Sequence, residues 1–137
     1  MAKIVTGSER QVAIHTEGDL VRAVLQLHQS AAACGFSTIA SHQMATALSE
    51  LARNILKYAG SGWVEFHAIE RGDAVAMEII ARDRGPGIDD IPNAMRDHVS
   101  TGGTLGLGLP GVQRLMDEFE ITSERGRGTR VTVRKWR

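Results

Sequence analysis

The segments WVEFHAIE, Trp63–Glu70, and AVAMEIIARD, Ala74–Asp83, separated only by RGD, decide the fold. Each alternates apolar and polar residues, the period of a strand with one buried face. In the first, Val64, Phe66 and Ala68 point one way. In the second, Val75, Met77, Ile79 and Ala81 do so, and by the same parity Asp83 joins them. A three-residue, Gly-containing link is too short for a crossover, so the pair reads as an antiparallel β-hairpin.

Outward from the hairpin, QVAIHT at 11–16 reads as a strand with Val12 and Ile14 inward. Residues 18–34 carry Leu20, Val24, Leu27 and Ala31 at helical spacing, with Gly35 placed to end that helix. A second helix is expected over 37–59, its buried stripe being Met44, Leu48, Leu51 and Ile55, with Gly60 and Gly62 as the stop. On the other side, Pro110 opens a helix running to about Asp117. Two strands, 119–123 and 128–136, close the chain. Strand, two helices, hairpin, helix, hairpin is not the regular alternation of a doubly wound parallel sheet. It predicts an α/β protein, a two-layer sandwich whose mixed, mostly antiparallel sheet carries its helices on one face. The 137 residues are expected to form a single domain, with 1–9 as a flexible N-terminus.

Lys plus Arg and Asp plus Glu number 16 each, so no general positive field favours a nucleic acid. The basic run RGRGTRVTVRKWR, 125–137, alternates and reads as the solvent side of an edge strand. The single cysteine, Cys34, has no internal disulfide partner and lies in an apolar run that suits a small buried thiol. No segment has the length of a signal peptide's apolar core or of a membrane span. These features lead to the expectation of a cytoplasmic protein that uses neither nucleic acid nor membrane as partner.

Three segments carry more chemistry than folding requires. In ARDRGPGI, Asp83 ends a core-facing strand side and meets Gly85 and Gly87 around Pro86. This is either a surface turn or a buried carboxylate in need of a donor, such as the amino group of a base. STGGTLGLGLPG, 100–111, contains GxGxxG at Gly106, Gly108 and Gly111. The strand that should precede a dinucleotide fingerprint is missing, and the strand after the helix opens an antiparallel pair. Glycines before a helix can instead leave backbone N–H groups free to cradle phosphate, as a flexible lid over a triphosphate. In SELARNILKYAG, 49–60, Glu50 and Asn54 stand one turn apart, rotated from the apolar stripe. A solvated helix face is the plain alternative, and Arg53 and Lys57 beside them fit either reading.

Taken in order, SELARNI, DRGPGI, GLPGV with RLMDEF, and GRGT entering the last strand resemble the N, G1 and G2 boxes of the GHKL ATPases. The wording is similar to that of their anti-sigma-factor and stressosome switch kinases, over residues 10–136. The resemblance implies ATP and Mg²⁺ as cofactors, with Asn54 as Mg²⁺ ligand and Glu50 as the catalytic acid beside the γ-phosphate. Asp83 would read the adenine amino group with Thr129 near the same edge. Gly85 and Gly87 would admit the base and sugar, and Gly103, Thr104, Leu105, Gly106, Leu107 and Gly108 would close over the phosphates. It further implies a serine/threonine protein kinase acting on a STAS-domain antagonist, with a PP2C-type phosphatase as a second partner. An anti-sigma factor that sequesters a sigma factor is the alternative within the same boxes.

Overall fold

The computed structural model describes residues 2–88, 91–95 and 108–137. The elements run β1 (Lys3–Ile4), β2 (Arg10–Ile14), α1 (Glu17–Ala33), α2 (Thr38–Asn54) with a π-helical turn (Ile55–Ala59), β3 (Gly62–Arg71) and β4 (Ala74–Asp83). They continue with α3 (Ile91–Ala94), α4 (Gly108–Leu115), β5 (Glu118–Glu124) and β6 (Gly128–Trp136). The strands order as β1-β3-β4-β6-β5, and β2 pairs with the first half of β3. Every pairing among the described residues is antiparallel.

The hairpin that decided the reading is the centre of this sheet. Arg71 and Ala74 are its last Cα partners, so Gly72 and Asp73 form a two-residue turn, with Gly72 at φ +62°. That positive φ matches the right-handed twist of the flanking strands. Val64, Phe66, Met77, Ile79 and Val133 are fully buried on one face against Leu27, Met44, Leu48 and Leu51 of the two long helices. Each such side chain contributes roughly 1.5–3 kcal/mol on burial, so this single layer of contact dominates the fold.

Both long helices begin on caps that the sequence supplies. Thr16 and Asp19 form a reciprocal capping box at α1, and Ser37 accepts from the Ala40 N–H at α2. Between them, Gly35 and Phe36 donate back to Ala32 and Ala31, closing the end of α1.

Four details depart from the sequence reading. Ala23, not Val24, occupies the buried face of α1, with Val24 only half-buried. Cys34 is half-buried rather than enclosed. Lys3 and Ile4 join the sheet and residues 5–8 are tied to it: Val5 donates to Ala68, and Ser8 Oγ accepts from the Ala68 N–H. Finally, β6 is not an edge strand but lies between β4 and β5. Of its alternating polar residues Arg130 is exposed, but Thr132 is buried and Arg134 and Trp136 are half-buried among neighbours. Arg134 binds Glu78 and Glu118, and the Trp136 indole donates to Glu118. Burial of Arg134 works against its charge, but Glu78 and Glu118 outweigh that and hold the guanidinium above its ordinary pKa.

Candidate active site

A cavity of about 370 Å³ opens between the end of α2 and the ends of β4 and β6. Its apolar walls include Leu51, Ile55, Ala81 and Val131, and its polar side chains include Asn54, Asp83 and Thr129. The helix expected over 37–59 changes character here, because α2 stops at Asn54 and continues as the π turn to Ala59. One wider turn alters the angular step between residues. Asn54, Ile55 and Tyr58 all line the cavity, with Tyr58 half-exposed at the rim.

At the sheet end, Asp83 Oδ1 accepts the Gly85 N–H at 2.9 Å. The backbone then turns through Gly87, at φ +80°, where a Cβ would lie 2.4 Å from the Glu124 carbonyl oxygen. Gly128 faces the same restriction from the other side, at φ +110° with a Cβ position 2.1 Å from the Asp83 oxygen. Neither position admits a side chain, so these glycines let the 83–88 segment lie directly on the β5–β6 turn. Gly126 N–H donates to the Pro86 carbonyl at 2.8 Å, and the Ile88 N–H to Ser123 Oγ at 2.7 Å, fastening the two loops together. Asp83 and Thr129 follow the cross-strand pair Arg82 and Arg130, which makes them neighbours at the ladder end.

At the helix end, Glu50 is 8 % exposed, which excludes a solvated helix face for it. One carboxylate oxygen accepts the Gly108 N–H at 3.4 Å, and the other lies 3.6 Å from the half-exposed Arg53 guanidinium. Gly108 is the first residue of α4, whose unpaired N–H groups and partial positive charge favour an anion. Glu50 supplies one such group, and the neighbouring cavity is open to another.

Of the residues singled out in the sequence, Asn54, Asp83, Gly87, Gly108 and Thr129 line one cavity. Gly85 supports Asp83, and Glu50 stands against Gly108. Gly103, Thr104, Leu105, Gly106 and Leu107 lie outside the described residues. Sequence reasoning missed Ser123, Gly128 and Tyr58. Gly128 was legible inside GRGT, whereas Ser123 is one polar residue on a strand and gave no signal of its own. β5, the strand after α4, pairs antiparallel with β6, contrary to what a dinucleotide fingerprint needs. Among the described residues no group of three His, Cys, Asp or Glu forms a metal cage. A lone amide oxygen such as that of Asn54 fits Mg²⁺, which keeps several waters and takes phosphate oxygens rather than an all-protein shell.

The model of the histidine kinase-like ATPase domain matches residues 14–135. The chain belongs to this family. It is 46% identical over 125 residues to the serine/threonine-protein kinase RsbT of Bacillus subtilis, covering 91% of this chain and 94% of RsbT. It is 34% identical over 97 residues to the anti-sigma F factor of Clostridium beijerinckii, 66% of each protein. Among solved structures, the RsbU and RsbW domains of a Mycobacterium tuberculosis protein superpose with TM-score 0.61 at 21% identity, over 93% of this chain and 31% of that one. The mycobacterial sensor histidine kinase MprB gives 0.56 at 15% identity, over 93% and 97%. These structural likenesses establish the α/β sandwich with its antiparallel sheet as the ATPase fold of the family. No helix among the described residues is long and apolar enough to cross a membrane.

Proposed function

We propose that this chain is an ATP-dependent serine/threonine protein kinase of a partner-switching pathway, transferring the γ-phosphate to a STAS-domain antagonist in the cytoplasm. The observation that carries the reading is one cavity holding Asn54, Asp83 and Thr129 beside Glu50 and the first N–H of α4, in a chain so similar to RsbT. Asp83 and Thr129 hold the adenine edge. Gly85 and Gly87 let backbone approach base and sugar, and Gly103, Thr104, Leu105, Gly106, Leu107 and Gly108 close over the phosphates. Asn54 holds Mg²⁺, which when bound offsets the charge of the phosphate oxygens. Glu50 orients the incoming hydroxyl and takes its proton. Released from its substrate, the kinase binds and activates a PP2C-type phosphatase.

The test is phosphotransfer from Mg²⁺-ATP to the STAS-domain protein of the same genome, read by mass spectrometry. One added phosphate on Ser or Thr is the expected product. Nucleotide binding without transfer would reduce the chain to an ATP-binding module. The similarity to anti-sigma F factors supports a second reading, in which the chain sequesters a sigma factor. Co-purification with a sigma factor in place of the STAS protein and phosphatase would select it.

A further inference from the structure

Ser123 on β5 stands behind the sheet end of the cavity, against its lining residues Ile88 and Thr129, and makes three hydrogen-bonding contacts. Its Oγ accepts the Ile88 N–H at 2.7 Å, lies 3.1 Å from the Gly128 carbonyl oxygen, and lies 2.9 Å from Thr129 Oγ1. A hydroxyl has one proton and two lone pairs. The Ile88 N–H can only donate and the Gly128 carbonyl can only accept. All three contacts are therefore satisfied in one arrangement: Ser123 spends its proton on Gly128, and Thr129 spends its own on Ser123. Thr129 then turns only lone pairs toward the cavity. Asp83, a carboxylate whose Oδ1 is occupied by the Gly85 N–H, is an acceptor there as well.

We propose that Ser123 is a positioning residue for base selection: by taking the Thr129 proton it makes the sheet end of the cavity an acceptor-only site. Resting on the adenine-nucleotide reading above, this gives that site its selectivity. Two acceptors suit an exocyclic amino group with its two N–H bonds. They repel a carbonyl oxygen at the same position, as in the hypoxanthine of ITP. Without Ser123, the Thr129 hydroxyl is free to rotate and donate to such a carbonyl. The preference for amino over carbonyl then rests on Asp83 alone.

The experiment measures dissociation constants of Mg²⁺-ATP and Mg²⁺-ITP by calorimetry for the wild-type chain and for Ser123→Ala, Ser123→Cys and Ser123→Thr. The wild type should prefer ATP. Ser123→Ala and Ser123→Cys should shrink the ITP-to-ATP ratio of dissociation constants roughly tenfold, the size of one neutral hydrogen bond. Ser123→Thr, which keeps the hydroxyl, should retain it. Cys fills the space with a far weaker donor and acceptor, so it decides the matter if the Ala variant does not fold. In a Thr129→Val background, Ser123→Cys should leave the ratio unchanged. An equal loss for both nucleotides, or a ratio within twofold of wild type, would overturn the proposal and leave Ser123 a loop fastener. A wild type with no preference for ATP over ITP would instead overturn the adenine reading itself.

Discussion

At the sheet end of the cavity, Asp83 is held by Gly85, and Ser123 ties Ile88, Gly128 and Thr129 together, all by hydrogen bonds of 2.7–3.1 Å, while Gly87 and Gly128 leave no room for a Cβ. At the helix end, Glu50 reaches the Gly108 N–H of α4 at 3.4 Å and Arg53 of its own helix at 3.6 Å, so both contacts are long. Groups fixed by short hydrogen bonds can discriminate between ligands, because a wrong ligand leaves them unpaired. Groups held only by long contacts can adjust as charge moves. The difference assigns recognition to the sheet end and chemistry to the helix end, and each variant below tests one half of that division.

The largest effect is expected from Glu50→Gln, which keeps shape and removes basicity. Phosphotransfer to the STAS protein should fall about a hundredfold or more, while Mg²⁺-ATP affinity stays within a few-fold. Transfer at the wild-type rate would place the chemistry elsewhere. Next comes Asp83→Asn at the recognition end. It exchanges an acceptor for a group that also donates, so ATP affinity should drop roughly thirtyfold, the worth of a hydrogen bond to a charged group. Stability should change by less than about 1 kcal/mol, because the Asn amide oxygen can still accept the Gly85 N–H. Calorimetry and urea titration on the same variant separate the two numbers.

Gly87→Ala probes the network without touching a polar group. An alanine at φ +80°, with its Cβ 2.4 Å from the Glu124 carbonyl oxygen, adds a backbone clash to the strained φ and should destabilise the chain by about 2–5 kcal/mol. ATP affinity should weaken with it as the 83–88 segment lifts from β5 and β6. A midpoint in urea unchanged from wild type would mean that the two loops are not rigidly joined.

The division also explains what could be read from sequence. The hairpin, the α1 and α2 stripes and the antiparallel sheet followed from periodicity, since a residue's face is set by local geometry alone. Asp83 stood out because strand parity is legible and Asn54 because it shares a helix face with Glu50, whereas Thr129 and the roles of all three came from the resemblance of the boxes. Ser123 was not, because its role is set by what faces it across a turn, and pairing register is a tertiary fact. The same limit misplaced β6: its alternating GTRVTVRKW looks like an edge strand until β5 is seen to cover its other side. The π turn was likewise invisible, since ILKYA fits an α-helix as well.

The smallest effect is expected from Arg53→Gln, and it sharpens the comparison most directly. Arg53 pairs with the Glu50 carboxylate, but the pair is long, 3.6 Å, and the arginine side chain is 49% exposed. A pair of this kind contributes about 0.2–1 kcal/mol after solvent screening. Its loss should therefore slow phosphotransfer by no more than roughly fivefold. ATP affinity should be unchanged, because Arg53 does not line the cavity. The residual slowing should shrink further at high salt, where an exposed pair is already screened in the wild type. A hundredfold loss in Arg53→Gln, equal to that of Glu50→Gln and insensitive to salt, would show the helix end to be as tightly specified as the sheet end. Glu50 would then depend on a fixed partner, and the contrast between a rigid recognition end and an adjustable chemical end would not hold.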